Sequence, residues 1–205
     1  MRNEYDLMAK IYDPVLYFAM RPIRLMVLNE LLQYSDKAII DICCGTGDQL
    51  KVLSKNGFKN LHGLDLSRSM LAVAKKNASQ LNIYNKDATK TDFDKETFES
   101  AIISFALHEK DRHTQEGMIN EAHRIVKKDG LIIIIDYAFD QKSSIIGKIG
   151  ISIIERIAGK EHYQNFKNYL KNNGLPSLLK NDRFRLIKED RKLFNSVTIS
   201  SYHRL

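Results

Sequence analysis

The chain has 205 residues, 43% of them hydrophobic, and 32 Lys and Arg against 25 Asp and Glu give a formal net charge of +7. This length and composition predict one globular domain, and no apolar run approaches the roughly 20 residues that a membrane-spanning helix needs. The start, MRNEYDLMAK, contains acids and lacks the apolar centre of a signal peptide, so we expect a cytoplasmic protein.

The first 36 residues are predicted to be helical. Apolar residues recur at helical spacing between Leu7 and Leu32, and Pro14 and Pro22 interrupt the pattern. We therefore expect two or three short helices before the first strand.

The stretch KAIIDICCGTGDQL, residues 37–50, predicts a strand, a glycine turn and a helix. Its β-branched run is typical of a parallel strand buried on both faces, and Asp41 interrupts that run near its end. Gly45 and Gly47 allow a tight turn, and Asp48 occupies the position expected for a helix N-cap. Such a junction directs amide N–H groups and the positive end of a helix dipole towards a ligand.

Two known turns compete with an ordinary strand-to-helix turn at this position. A dinucleotide fingerprint requires a third glycine, but Leu50 stands there. The string DICCGTGD instead resembles motif I of the class I S-adenosylmethionine-dependent methyltransferases, and its paired cysteines are most similar to the quinone C-methyltransferase branch. Members of that superfamily often have glycine where this chain has Cys43.

A second strand is predicted over NLHGLDL, residues 60–66, with Asp65 near its carboxyl end. Asp65 follows the first glycine of the turn by 65 − 45 = 20 residues, a separation at which a carboxylate can accept hydrogen bonds from ribose hydroxyls. The alternative is a role beside a helix N-cap. Ser67 can supply that cap itself, so Asp65 remains available for the ribose.

Two further strand ends carry features of the same family. The segment NKDATKTDF after the third predicted strand resembles the methyltransferase motif in which an Asp accepts from the adenine amino group, which implies this role for Asp87. A fourth strand, ESAIISF, is predicted over residues 99–105, and the resemblance implies that its end faces the methionine part of the cofactor.

The remaining pattern completes an α/β fold. A helix over residues 114–128 leads into the apolar strand LIIIIDYA, which we expect in the middle of the sheet. The combination HRIVKKDGLIIIID resembles the superfamily's RxLKPGGxLxxxD. Residues 141–180 form a predicted helical insertion, and residues 184–202 are predicted to form two closing strands.

Together these elements predict a Rossmann-like, doubly wound sheet of seven strands that ends in an antiparallel hairpin. We expect one methyltransferase domain over residues 1–205. Its parts are an N-terminal helical lid at 1–36, a cofactor-binding core at 37–140, a helical insertion at 141–180 and closing strands at 181–205.

The resemblance implies an S-adenosylmethionine-dependent methyltransferase that acts on a small-molecule acceptor. S-adenosyl-L-methionine already carries an activated methyl group, so the protein needs only to align a nucleophile and exclude water. The expected cofactor-binding residues are Asp41, Cys43, Gly45, Thr46, Gly47, Asp65, Leu66, Met70, Asp87, Ala88, Ser104 and Phe105.

On the acceptor side, His108 follows the fourth strand, where a neutral imidazole could take a proton from the acceptor. Packing beside the next turn is the equal alternative for His108. The expected substrate-binding residues are His162 and Tyr163 in the insertion and Tyr12, which belongs to a Tyr-Asp pair similar to one in the quinone methyltransferases. The alternative for His162 and Tyr163 is an ordinary surface position at a helix start, and for Tyr12 a half-buried ring on an amphipathic helix.

Other classes fit the sequence less well. An RNA methyltransferase would suit the basic charge, but basic residues occur in ones and twos and no Asn-Pro-Pro-Tyr-like motif follows the fourth strand. No metal site is expected, because CxxC and HExxH motifs are absent and the six histidines are scattered. A protein that binds the cofactor without catalysis remains an alternative, and the oligomeric state is open.

Overall fold

A computed structural model of the protein describes residues 20–77, 80–179 and 182–205. Strands and helices alternate through most of this part of the chain. They are α1 (20–31), β1 (Ile39–Ile42), α2 (Asp48–Lys55), β2 (Leu61–Asp65), α3 (Arg68–Asn77), β3 (Asn82–Asn85), β4 (Phe98–Ser104), α4 (Arg112–Ile125), β5 (Val126–Tyr137), α5 (Ile145–Ile157), α6 (Lys160–Lys171), β6 (Phe184–Lys192) and β7 (Val197–Arg204). No helix in the described ranges is both long and apolar enough to cross a membrane.

Seven strands form one sheet in the order β3-β2-β1-β4-β5-β7-β6. The first five are parallel, whereas β7 pairs antiparallel with both β5 and β6. The predicted doubly wound sheet with a closing antiparallel hairpin is therefore confirmed. The strand order reverses at β1, and the carboxyl ends beside such a reversal are where open α/β sheets bind ligands.

The core lies on both faces of the central strands. All four residues of β1 are buried, and β5 is fully buried from Leu131 to Asp136. Burial on both faces explains why these strands are nearly continuous β-branched runs rather than alternating ones. The prediction that the LIIIID strand lies inside the sheet is correct, since β5 lies between β4 and β7.

Local boundaries differ from the sequence predictions at three places. Pro22 does not separate two helices, because residues 20–31 are continuously helical across it. The N-cap of α2 is Gly47, not Asp48, which lies in the first helical turn and pairs with Arg24 at 3.0 Å. α4 ends at Ile125 and β5 begins at Val126, so residues 126–128, which we predicted as the end of the helix, lie in the strand.

Candidate functional site

The turn after β1 has a left-handed backbone at every second residue. The φ angles are 62° at Cys43, 52° at Gly45 and 74° at Gly47. A Cβ on Gly47 would lie 3.0 Å from the Cβ of Ala74, so a side chain there would crowd α3. A Cβ on Gly45 would meet no atom within 4 Å, which leaves open space beside the turn. Cys43 adopts a backbone conformation that favours glycine, at a cost of about 1 kcal/mol.

Asp65 joins the end of β2 to this turn. Its Oδ2 accepts a hydrogen bond from the Gly45 N–H at 2.9 Å, and its Oδ1 accepts one from the Ser67 N–H at 2.8 Å. The Ser67 hydroxyl accepts from the Met70 N–H at 3.3 Å, as the predicted capping role requires. Each carboxylate oxygen has a second lone pair, so Asp65 can accept further hydrogen bonds without releasing the turn.

Asp41 is a buried carboxylate with an unsatisfied oxygen. The side chain is only 3% exposed, and its Oδ1 has no hydrogen-bond partner among the residues that the structure describes. Burial and the nearby charge of Asp65 raise the pKa of Asp41 to about 8, although Arg24 opposes the shift. A buried unpaired acceptor is costly, and a cationic ligand group beside Asp41 would satisfy it.

The ends of β2 and β3 form the next part of the same edge. Asn85 donates from Nδ2 to the backbone oxygens of Asp65 and Leu66, at 3.0 and 2.9 Å, and so holds the two strand ends together. Asp87 is exposed, and its Oδ1 accepts from the N–H and hydroxyl of Thr89, both at 2.8 Å.

The other predicted cofactor residues differ in exposure. Leu66 is 65% exposed and Ala88 is buried. Thr46 in the turn, Met70 on α3, Ser104 at the end of β4 and Phe105 directly after it are half-buried.

His108 forms a buried pair with Asp136 at the ends of β4 and β5. Nδ1 of His108 lies 2.7 Å from Oδ1 of Asp136, and Oδ2 accepts from the backbone N–H groups of Leu107 and His108 at 3.1 and 3.3 Å. Asp136 is fully buried and His108 is 3% exposed. Four donors, including the Tyr137 N–H at 2.8 Å, therefore fix this carboxylate and orient the imidazole.

The insertion adds Glu155 from α5 and His162 from α6 to this pair. Oε2 of Glu155 lies 3.4 Å from Nε2 of His108 and 2.6 Å from Nε2 of His162. Oε1 of Glu155 accepts from the Tyr137 hydroxyl at 2.9 Å. Glu155 is 2% exposed, whereas the His162 side chain is 19% exposed. We call His108, Asp136, Glu155 and His162 the histidine cluster.

The carboxylates of the histidine cluster oppose the neutral state that we predicted for His108. Burial disfavours an imidazolium, but Asp136 and Glu155 outweigh that effect and raise the pKa of His108 to about 10. Burial likewise disfavours a carboxylate, yet hydrogen bonds from His108 and His162 lower the pKa of Glu155 to about 2. Asp136 and Glu155 therefore favour the imidazolium form of His108, and each of its ring nitrogens already faces a carboxylate.

Aromatic rings surround this end of the sheet. The Tyr137 ring lies 5.6 Å from that of Phe105 and 4.6 Å from that of His108, and Phe166 packs edge-on against Tyr137 at 5.5 Å, measured between centroids. Tyr163 stacks on Phe166 at 6.1 Å. Tyr12, the remaining predicted substrate residue, lies outside the described residues.

The sequence prediction missed Asp136 and Glu155. Asp136 had a visible signal, because it ends the LIIII run just as Asp41 interrupts β1. Glu155 is the only acid in the apolar helix IIGKIGISIIERI, and nothing in the local sequence indicates that it faces His108.

Known proteins with similar sequences include methyltransferases. Residues 39–130 match a family described as a methyltransferase domain. The chain is 25% identical over 117 residues to a ubiquinone/menaquinone biosynthesis C-methyltransferase of Campylobacter jejuni, a match that covers 54% of this chain and 49% of the relative. It is 24% identical to the demethylmenaquinone methyltransferase of Chlamydia caviae, and that match covers 97% of this chain and 94% of the relative. The chain thus spans about half the length of several relatives and nearly all of another.

Solved structures share the fold at low sequence identity. Magnesium protoporphyrin IX methyltransferase from Synechocystis PCC 6803, solved with bound SAH, has a TM-score of 0.64 at 16% identity and covers 92% of this chain and 84% of its own. An S-adenosylmethionine-dependent methyltransferase from Mesorhizobium loti has a TM-score of 0.63 at 16% identity, and the match covers 91% of this chain and 98% of the M. loti chain.

Sheet order, glycine turn and terminal hairpin together define an α/β protein of the nucleoside-binding, doubly wound kind. Within that class, residues 39–130 match a methyltransferase-domain family, and the chain is similar in sequence to quinone C-methyltransferases.

Proposed function

We propose that this chain binds S-adenosyl-L-methionine at the carboxyl ends of β1 to β4 and methylates a small aromatic acceptor that carries a hydroxyl group. The observation that carries the proposal is the 2.9 Å hydrogen bond from the Gly45 N–H to Asp65. It fixes a carboxylate beside a turn whose Gly45 leaves open space. That arrangement suits a ribose on Asp65, with the rest of the nucleoside passing along β3.

The chain's own residues fit the other parts of this cofactor. The unsatisfied Oδ1 of Asp41 would accept from the methionine ammonium group, and Gly45 to Gly47 would let the backbone approach the ligand closely. Asp87 and Ala88 would border the adenine, and Ser104 and Phe105 the methionine portion. When bound, the cofactor supplies an activated methyl group, so the protein's task is to align the acceptor and exclude water.

An aromatic acceptor is supported by the rings of Phe105, Tyr137, Tyr163 and Phe166 beyond the end of β4. The relatives named above include quinone C-methyltransferases, which supports a quinol-like molecule. His162 would contact the acceptor from the partly exposed side of the histidine cluster. His108, held by Asp136, would position His162 from the buried side.

Calorimetric titration with S-adenosylhomocysteine tests the cofactor site. Asp65→Ala should weaken binding about tenfold or more, because losing a carboxylate that accepts from ribose hydroxyls costs about 1.5 to 3 kcal/mol. Asp36→Ala is the matched control, since Asp36 is an exposed surface acid. Equal affinity in wild type and Asp65→Ala would contradict the ribose assignment.

Turnover on a panel of quinols, phenols and amines tests the acceptor side. His108→Ala, His162→Ala and Tyr163→Ala should retain S-adenosylhomocysteine affinity while losing turnover, because the proposal places these side chains on the acceptor side rather than against the cofactor. A parallel loss of affinity and turnover would place them in the cofactor site instead. Cofactor binding without turnover on any acceptor would favour a binding protein that does not catalyse.

A further inference from the structure

The histidine cluster brings three metal-ligating side chains to one point. A ring nitrogen of His108, a carboxylate oxygen of Glu155 and a ring nitrogen of His162 lie within 4.8 Å of one another. These residues come from the loop after β4 and from α5 and α6, and 162 − 108 = 54 residues separate the two histidines. No local motif could reveal this set, which is why the sequence predicted no metal site.

Each histidine also faces a carboxylate on its other ring nitrogen. Nδ1 of His108 is 2.7 Å from Asp136, and Nδ1 of His162 is 3.6 Å from Oε2 of Glu109. A carboxylate behind the imidazole is the usual support of a metal-bound histidine, because it fixes the ring and increases the basicity of the nitrogen that binds the metal. Both Nε2 atoms are thereby directed to Glu155.

The buried negative charge of the histidine cluster also favours a bound cation. Asp136 and Glu155 are 0% and 2% exposed, and Glu109 lies at the edge of the same group. A divalent ion on the two Nε2 atoms would balance the two buried carboxylates.

We propose that His108, Glu155 and His162 form a binding site for one Zn²⁺ ion. Zinc commonly takes two histidines and one glutamate and keeps a fourth position open, whereas Mg²⁺ and Ca²⁺ prefer oxygen ligands. Tetrahedral zinc separates its N and O ligands by about 3.4 Å. The His108–Glu155 distance is already 3.4 Å. The His162–Glu155 distance of 2.6 Å would widen as the partly exposed His162 side chain rotates.

The open position would face the acceptor side of the sheet. This step rests on the proposed function: an acceptor hydroxyl bound there would lose its proton more readily, because a bound zinc ion lowers the pKa of an oxygen ligand. Metal binding itself does not depend on methyl transfer and can be measured without any acceptor.

Calorimetry with Zn²⁺ on chelator-treated full-length protein tests the site. Wild type should bind one equivalent, and Glu155→Gln and His162→Ala should each lose at least about a hundredfold in affinity, since each removes a ligand. His113→Ala and Glu116→Gln on α4 are matched controls, because both residues are exposed and lie outside the cluster. Co²⁺ should give the strong visible absorption of a four-coordinate site in wild type and controls, and Mg²⁺ should not compete.

Two results would overturn the zinc site. One is a wild-type protein that binds no Zn²⁺ at micromolar concentration although it binds S-adenosylhomocysteine, which would leave the proposed function intact. The other is an X-ray absorption spectrum of the wild-type zinc complex without imidazole ligands, a result that does not depend on whether the variants fold. Zinc binding without S-adenosylhomocysteine binding would instead contradict the methyltransferase proposal.

Discussion

At the scale of single residues, Gly45 and Gly57 have the same backbone requirement in different surroundings. Their φ angles are 52° and 91°, and a Cβ on either would meet no atom within 4 Å. Gly45 lies in the turn bonded to Asp65, whereas Gly57 follows α2 at the surface. Comparing alanine substitutions at these two glycines therefore distinguishes the effect of backbone strain from the effect of blocking a ligand.

We expect Gly45→Ala and Gly57→Ala to lose similar stability, about 1 kcal/mol each, because alanine is strained in the left-handed region. Only Gly45→Ala should lose S-adenosylhomocysteine affinity, by about tenfold or more, since its methyl group would occupy the space beside the turn. Thermal unfolding and calorimetry of both variants provide the check. Unchanged affinity in Gly45→Ala would mean that the ligand does not approach this backbone.

At the scale of secondary-structure elements, α4 is joined to the loop after β3 by a buried carboxylate. Glu121 is 7% exposed and accepts hydrogen bonds from the N–H of Thr91 at 2.7 Å and from Nε of Arg124 at 2.8 Å. Arg124 also donates to the backbone oxygen of Phe93 at 2.7 Å. This network holds the segment that follows Asp87 against the helix.

We expect Glu121→Gln to reduce the free energy of unfolding by about 1 to 3 kcal/mol at pH 7, because it weakens charge-assisted bonds in a buried network. Burial alone would raise the pKa of Glu121, but hydrogen bonds from Arg124 and Thr91 lower it to about 2, from an ordinary value of 4.5. The folded protein therefore binds this proton less readily than the unfolded chain. The stabilisation is complete above pH 4.5 and disappears as the pH falls through about 2.

Urea unfolding of wild type and Glu121→Gln between pH 7 and pH 2 measures this effect. The difference between the two proteins should shrink below pH 4.5. Glu116→Gln is the control on the same helix, because Glu116 forms only an exposed pair with Arg112. A constant difference across the whole range would show that the lost stability does not come from the Glu121 charge.

Elements of this fold differ in how well the sequence predicts them. β1 and β5 are buried on both faces, so their apolar runs are continuous and their positions follow from the sequence. The Gly45 turn and Asp65 are also local signals. The histidine cluster is different, because Glu155 meets His108 only through packing of α5 and α6, and a single acid in an apolar helix carries no periodic pattern.

At the scale of the whole molecule, the net charge is +7, and many of the basic residues that contribute to it lie beside acids. Arg24 pairs with Asp48, Arg124 with Glu121 and Lys188 with Glu30. Charge that is neutralised locally contributes little to a continuous positive surface. This distribution favours the small-molecule acceptor over a nucleic acid.

We therefore expect no submicromolar binding of RNA at physiological salt, because basic residues occur in ones and twos along the sequence rather than in runs. Filter binding with single-stranded and structured RNA between about 50 and 200 mM salt is the measurement, with and without S-adenosylhomocysteine. The double variant Lys75→Glu/Lys76→Glu on α3 is a charge control, since it changes the net charge by −4. Its RNA affinity should be as low as that of wild type. Submicromolar affinity that falls steeply with salt and is lost in the charge variant would instead identify a phosphate-binding surface on α3, and an RNA acceptor would then replace the aromatic one.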